Sequence, residues 1–235
     1  MNESQFIEAL LEKGIQLSNL QIKQFQLYYE TLIEWNQKMN LTAITKKEDV
    51  YLKHFYDSIS PAFDFPFDQQ TIIDVGAGAG FPSIPLKIIY PNLKIMIVDS
   101  LNKRITFLHH LFEVLQLQDV DAIAMRAEDY AKLHFQSADI VMARAVARLS
   151  ILDELCLPLV KVGGYFITLK GKNAKEEVLE SKTGIEILGG KIEKEATFTL
   201  SDDNDYRSNI FIHKIKQTPK RYPRAFGKIK KQPLR

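Results

Sequence analysis

Ile72-Ile73-Asp74-Val75-Gly76-Ala77-Gly78-Ala79-Gly80-Phe81-Pro82 carries the clearest fold signal in the chain. Thr71 to Val75 is short and rich in β-branched residues, which suits a strand covered on both faces. Three glycines then alternate with two alanines, so no bulky side chain stands between this turn and a ligand. Pro82 fits the first turn of a helix, where its missing N–H costs little. Bare backbone and the N–H groups of a helix start together make a place for a negatively charged or polar cofactor group. Asp99 follows Gly76 by 23 residues, at the end of a second strand-like run over 93–98. An acid about 20 residues past a glycine turn holds ribose hydroxyls. The pattern predicts a nucleoside-type cofactor at the carboxyl ends of the first two strands.

The glycine spacing narrows the cofactor. It is Gly-x-Gly-x-Gly at Gly76, Gly78 and Gly80, not the Gly-x-Gly-x-x-Gly of dinucleotide sites. Asp74 precedes the first glycine by two positions, and no Gly-Lys-Ser/Thr follows to grip a triphosphate. The combination favours S-adenosylmethionine, which has ribose hydroxyls and an amino-acid tail but no pyrophosphate. The competing reading is a structural turn with no ligand.

On both sides of the turn the pattern is regular. Strands are expected at 71–75, 93–98, 120–125, 138–142 and 164–169, with helices near 82–89, 103–117, 149–159 and 173–188, which argues for a parallel sheet covered on both faces. Two further strands, 191–200 and 208–216, have no helix between them and should pair as an antiparallel hairpin at one edge, joined by the acidic loop 201–206. Before the turn, apolar residues recur at helical spacing over 4–13, and Gly14 is a natural stop. Ser18-Asn19-Leu20-Gln21 is a capping-box pattern opening a long helix, and a third helix is expected over 48–58. The expected division is a helical extension over 1–65 packed on the core, a methyltransferase domain over 66–216, and a basic tail over 217–235 lying on the surface.

The chain has 235 residues, 46% of them hydrophobic, enough for a sizeable core. One cysteine excludes an intramolecular disulfide. Residues 1–10 carry Asn2, Glu3, Gln5 and Glu8 and do not read as a signal peptide. No apolar run approaches bilayer-spanning length, so a soluble cytoplasmic protein is expected. Net charge is +2, but residues 214–235 hold nine Lys or Arg and no acid, leaving 22 bases and 29 acids, a formal −7, on the rest. That balance disfavours general polyanion binding and favours focused contact through the tail, with Lys220, Arg221 and Arg224 as phosphate contacts.

Arg126-Ala127-Glu128 follows the third strand, where a backbone N–H of Ala127 or Glu128 could meet an adenine edge; an ordinary polar turn is the alternative. Ala143-Arg144-Ala145 follows the fourth strand, and the Asn/Asp-Pro-Pro-Tyr/Phe stretch of exocyclic amino methyltransferases is missing there. Arg144 and Arg148 are cations placed to hold a phosphate, a cofactor carboxylate or a guanine edge, or else are solvated. Cys156 lies on an apolar helix face and reads as a packed thiol, which argues against methylation at pyrimidine C5. The five histidines show no zinc-ligand spacing, and no metal is expected.

Several stretches together resemble one family. Trp35-Asn36-Gln37-Lys38-Met39-Asn40-Leu41-Thr42, His54-Phe55-Tyr56-Asp57-Ser58, the glycine turn and Asn102-Lys103-Arg104 are similar to bacterial 16S ribosomal RNA guanine-N7 methyltransferases, also called the glucose-inhibited division protein B family. Arg126-Ala127-Glu128, Ala143-Arg144-Ala145 and Tyr222-Pro223-Arg224 extend the resemblance over nearly the whole chain. Many members have glycine where Ser83 stands here. The resemblance implies a Rossmann-like class I S-adenosylmethionine-dependent methyltransferase, acting on one guanine N7 in the 530-loop region of the small ribosomal subunit. It also implies cofactor contacts at Gly76, Phe81, Asp99 with Ser100 and Leu101, Ala127, Glu128 and Arg144. Guanine N7 has a lone pair and no proton, so no general base is expected. No membrane and no obligate protein partner is expected. Competing expectations are a small-metabolite methyltransferase, a catalytically inactive RNA-binding relative and, last, a nicotinamide oxidoreductase.

Overall fold

The structure is a computed structural model that describes residues 1–201 and 205–234. Its strands are β1 (Thr71–Val75), β2 (Lys94–Asp99), β3 (Val120–Ala124), β4 (Ala138–Arg144), β5 (Val160–Lys170), β6 (Gly190–Thr199) and β7 (Tyr206–Lys214). They form one seven-stranded sheet in the order β3-β2-β1-β4-β5-β7-β6. β1 to β5 run parallel, with Asp74 opposite both Ile97 and Met142. β7 then inserts antiparallel between β5 and β6. The expected hairpin is present, with its second strand inside the sheet and its first at the edge. The expected acidic loop includes 202–204, which lie outside the described residues.

Side chains alternate across the sheet at the period of two that a pleated strand imposes. Ile72, Ile95, Ile97, Ile140, Met142 and Ile167 face one core, and Ile73, Val75, Val98, Val141 and Phe166 the other. The first core is closed by α1 (Glu3–Glu12), α2 (Asn19–Met39), α5 (Ser83–Ile89) and α6 (Asn102–Val114). The second is closed by α7 (Ala127–Leu133), α8 (Leu149–Cys156), α9 (Ala174–Ile187) and α10 (Phe226–Lys231). Capping boxes start α1 at Asn2 and α2 at Ser18. The expected third helix is broken into α3 (Lys47–Val50), a π-helical segment over Tyr51–Tyr56 and α4 (Asp57–Ile59), and such segments occur often at functional sites.

The tail corrects an expectation. It does not merely lie on the surface: Tyr222 and Ile229 are buried in the second core, and α10 packs against α8. Lys214, counted above among the basic residues available to a partner, is fully buried at the end of β7, where its ammonium donates to the Leu157 carbonyl and to Thr218 Oγ1. Burial pulls it down to about 7.

Candidate cofactor and acceptor site

The strand order places β1 and β4 side by side, with β2 and β3 on one flank and β5 on the other. A crevice opens at such a reversal, at the carboxyl ends of the strands. The glycine turn after β1 forms its floor. Gly76, Gly78 and Gly80 have φ of 74°, 62° and 98°, a region that L side chains enter at a cost. A Cβ on Gly76 would stand 2.7 Å from a Val146 methyl, whereas one on Gly78 would meet nothing within 4 Å. The first glycine is therefore required by packing and the second leaves space open. Pro82 sits one position earlier than expected, as the N-cap of α5. The buried Asp74 carboxylate accepts from the Ser83 N–H at 3.0 Å, and burial pushes it up to about 7.

This turn lines a cavity of about 440 Å³ together with Asp99, Ser100, Ala127, Glu128 and Arg144. Every residue expected to touch the cofactor is in its wall except Leu101, whose side chain is exposed. Leu101 contributes its backbone instead, donating to Asp99 Oδ1 at 3.0 Å. Asp99 Oδ2 takes the Gly78 N–H at 3.3 Å and the Arg104 guanidinium at 2.9 Å. So Asp99 also ties the glycine turn to the start of α6. Ala127 and Glu128 open α7, and their N–H groups have no partner within that helix. Bare glycine backbone, a nearly buried carboxylate and helix-start N–H groups around one cavity fit the adenosyl group of S-adenosylmethionine.

The N-terminal helices supply the opposite wall. Tyr28 in α2 donates to the Ala79 carbonyl at 2.6 Å and stacks on Phe81 at 5.4 Å. His54 stacks on Phe81 at 4.5 Å, and the Arg144 guanidinium lies 5.0 Å from the same ring. Arg144 donates to Asp57 Oδ2 at 2.8 Å, to the Lys53 carbonyl at 3.0 Å and to His54 Nδ1 at 3.2 Å. Because Nδ1 accepts, the His54 proton sits on Nε2, which reaches Thr42 Oγ1 at 2.8 Å. Burial and the Arg144 charge drive His54 down to about 3. Asp57 binds a second arginine, Arg207 on β7, through Oδ1 at 3.1 Å.

A second cavity of about 500 Å³ adjoins the first across His54, Arg144, Ala145 and Val146. Its far wall carries Lys170, from the end of β5, and Glu177, from α9. Arg148 lines neither cavity; it stays half exposed and pairs with Glu176 at 3.1 Å and Glu180 at 2.9 Å. Arg224 is likewise committed, gripping the fully buried Glu154 through two nitrogens. Lys220 and Arg221 remain exposed and enter no ion pair among the described residues, while Arg221 rests on the Tyr222 ring. Cys156 is fully buried, and burial drives its thiol well up. Sequence reasoning named no role for Tyr28, His54, Asp57, Arg104, Lys170, Glu177 or Arg207. For His54, Asp57 and Arg104 the signal was the resemblance alone; Lys170, Glu177 and Arg207 carried none.

The chain matches the family described as "GidB: rRNA small subunit methyltransferase G" over residues 21–204. It is 56% identical over 237 residues to "Ribosomal RNA small subunit methyltransferase G" of Bacillus thuringiensis (strain Al Hakam), covering 100% of this chain and 99% of that protein. The protein of the same name in Macrococcus caseolyticus (strain JCSC5402) is 56% identical over 236 residues, with the same coverage. Among solved structures, a SAM-dependent methyltransferase from Aquifex aeolicus superposes with a TM-score of 0.55 at 16% identity, covering 78% of this chain and 98% of that one. TYW2 of M. jannaschii, in complex with AdoMet, gives a TM-score of 0.57 at 15% identity, covering 74% and 80%. At those identities the likeness is one of fold.

Proposed function

Because this chain belongs to the rRNA small subunit methyltransferase G family and is an S-adenosylmethionine-dependent methyltransferase of ribosomal RNA, we propose that its acceptor is N7 of one guanine in the 530-loop region of 16S ribosomal RNA. One observation supports this choice of atom: the two candidate bases beside Arg144 where the cavities adjoin, His54 and Asp57, are both committed to other partners. His54 is held neutral with both ring nitrogens engaged. Both Asp57 oxygens are taken by arginines. An amino or hydroxyl acceptor must lose a proton, and neither His54 nor Asp57 is free to take it. Guanine N7 attacks through a lone pair and needs no such group.

S-adenosylmethionine supplies an electrophilic methyl group on a sulfonium centre. The chain supplies position, which dominates a displacement of this kind. Asp99 holds the ribose, the Gly76–Gly78 backbone accommodates the amino-acid portion, and Ala127 and Glu128 face the adenine. Arg144, immobilised by Asp57 and by the Phe81 ring, separates the two cavities and sets the approach. Lys220 and Arg221 hold backbone phosphates, which position the RNA without reading its sequence. On this reading the methyltransferase unit is 66–216, the helices of 1–65 form its second wall, and the protein works in the cytoplasm. No helix among the described residues is long and apolar enough to cross a membrane.

The test is to incubate the protein with labelled S-adenosylmethionine and small ribosomal subunits that lack this modification. Reductive strand scission at 7-methylguanosine then locates the label. A single stop at a guanine of the 530 loop is expected. Label on another atom or base, or only in a small-molecule fraction, overturns the proposal.

A further inference from the structure

Lys170 and Glu177 form an ion pair at 2.8 Å on the wall of the second cavity, with side chains only 7% and 13% exposed. Neither is needed to neutralise a cofactor, because neither lines the first cavity. Each is held from behind by backbone. Lys170 Nζ donates to the Ala147 carbonyl at 2.7 Å, and Glu177 Oε2 accepts from the Leu149 N–H at 2.7 Å. Both of these Glu177 contacts use Oε2, so Oε1 makes none among the described residues. Lys170 has used two of its three ammonium hydrogens. The pair therefore presents one spare donor beside one spare acceptor, fixed in place and facing an open cavity.

We propose that Lys170 and Glu177 read the target base by its Watson–Crick edge, Lys170 donating to O6 and Glu177 accepting from N1–H and the 2-amino group. The assignment rests on guanine N7 being the acceptor. Adenine presents the opposite order, an amino donor at position 6 and an acceptor at N1, and would set donor against Lys170 and acceptor against Glu177, so the spare hydrogen and the spare oxygen would lose water without gaining a partner. The order of the groups also fits. Val146 lies on the wall shared with the cofactor cavity, Ala147 anchors Lys170, and Leu149 anchors Glu177. Moving away from the cofactor, the chain thus presents the shared wall, then the donor, then the acceptor. The guanine rim runs N7, O6, N1–H and 2-amino in the same order. Glu177 gains a second role from this placement. As positive charge develops on the purine, its N1–H becomes more acidic, so the bond to Glu177 strengthens towards the transition state and favours it selectively.

The test pairs a change in the protein with a change in the base. Small-subunit RNA carrying inosine in place of the target guanosine lacks only the 2-amino group. With the native enzyme, kcat/KM on the inosine substrate is expected to fall by about 10-fold or more, the discrimination expected for half of a bidentate contact. Glu177→Gln keeps an oxygen for the Leu149 N–H, and is expected to lower kcat/KM on guanosine while shrinking the guanosine-to-inosine ratio towards one. S-adenosylmethionine affinity by calorimetry is expected to be unchanged. Equal rates of the native enzyme on guanosine and inosine overturn the assignment whether or not the variant folds. So does a Glu177→Gln variant that loses activity equally on both substrates. Failure of the underlying reading looks different, because the native enzyme then labels an atom other than guanine N7 in the unmodified RNA.

Discussion

Gly78 separates strain from occupancy. Its φ is +62° and a Cβ there points into open space on the cavity floor. Gly78→Val therefore costs the fold about 1–2 kcal/mol for the left-handed backbone and places two methyls in the cavity proposed for the cofactor. The variant is expected to melt a few degrees lower and to bind no S-adenosylmethionine by calorimetry; unchanged affinity would remove the turn from the site. Asp99 behaves otherwise, because it ties the fold together and, on the proposed reading, also holds the ligand. Asp99→Ala should weaken the cofactor by about 1–3 kcal/mol, the cost of stranding its hydrogen-bond partners. It should also lower thermal stability, since Gly78, Leu101 and Arg104 lose their shared acceptor. A variant with lowered affinity and native stability would show that these internal bonds are incidental. Asp74 adds a pH dependence. Burial raises its carboxyl to about 7, so the folded state binds the proton more tightly than the unfolded chain does. Stability from this group is fully present below about pH 4 and is lost as the pH climbs through about 7. Asp74→Asn cannot ionise and should lose less stability across that interval, as read from urea midpoints at about pH 4 and about pH 7.5. Parallel pH profiles for the two proteins would show that Asp74 does not titrate there.

Elements distant in sequence hold the site through single contacts. α2 reaches the glycine turn through Tyr28, 51 residues from Ala79, and the π-helical segment brings His54 over Phe81. The helices before β1 thus close the cofactor cavity rather than decorating the sheet. α8 and the tail are joined in the same way by Glu154 and Arg224. Glu154 is wholly buried and Arg224 is the only ion-pair partner it has among the described residues. Arg224→Ala should destabilise by about 3–5 kcal/mol, the range for leaving a buried charge unpaired, and unfolding measurements should show most of that loss restored by adding Glu154→Gln. The effect belongs to folding, so any loss of RNA binding in the single variant is to be read against its stability.

Across the full surface, the charge that can meet RNA is smaller than the basic tail suggests. Of the nine cations in 214–235, Lys214 is buried and Arg224 is paired. Lys220 and Arg221 stay exposed beside a body that carries a formal −7. Neutralising a phosphate contact releases counterions, with a log–log salt slope of about −0.7 per contact for single strands. Lys220→Ala with Arg221→Ala should weaken RNA binding and flatten that slope by about 1.4, while cofactor affinity and melting temperature hold. An unchanged slope across a salt series would move recognition away from Lys220 and Arg221.

The strand, glycine turn and Asp99 were legible from residue order, as were the alternation that makes a doubly covered parallel sheet and the closing antiparallel hairpin. These depend on local quantities: the period of apolar residues, the φ that only glycine takes freely, the cap at Ser18. The cofactor class was legible too, because the acid must lie one strand and one helix beyond the turn. Which charges are spent emerged only from the folded chain. Asp57 meets Arg144 across 87 residues and Arg207 across 150, and Glu154 meets Arg224 across 70. Arg148 and Arg224 read as free cations in the sequence and are ion-paired in the fold, whereas Lys170 and Glu177 carried no signal and line a cavity. The reason is that ion pairing depends on which segments packing brings within a few ångströms, and no local periodicity encodes that distance.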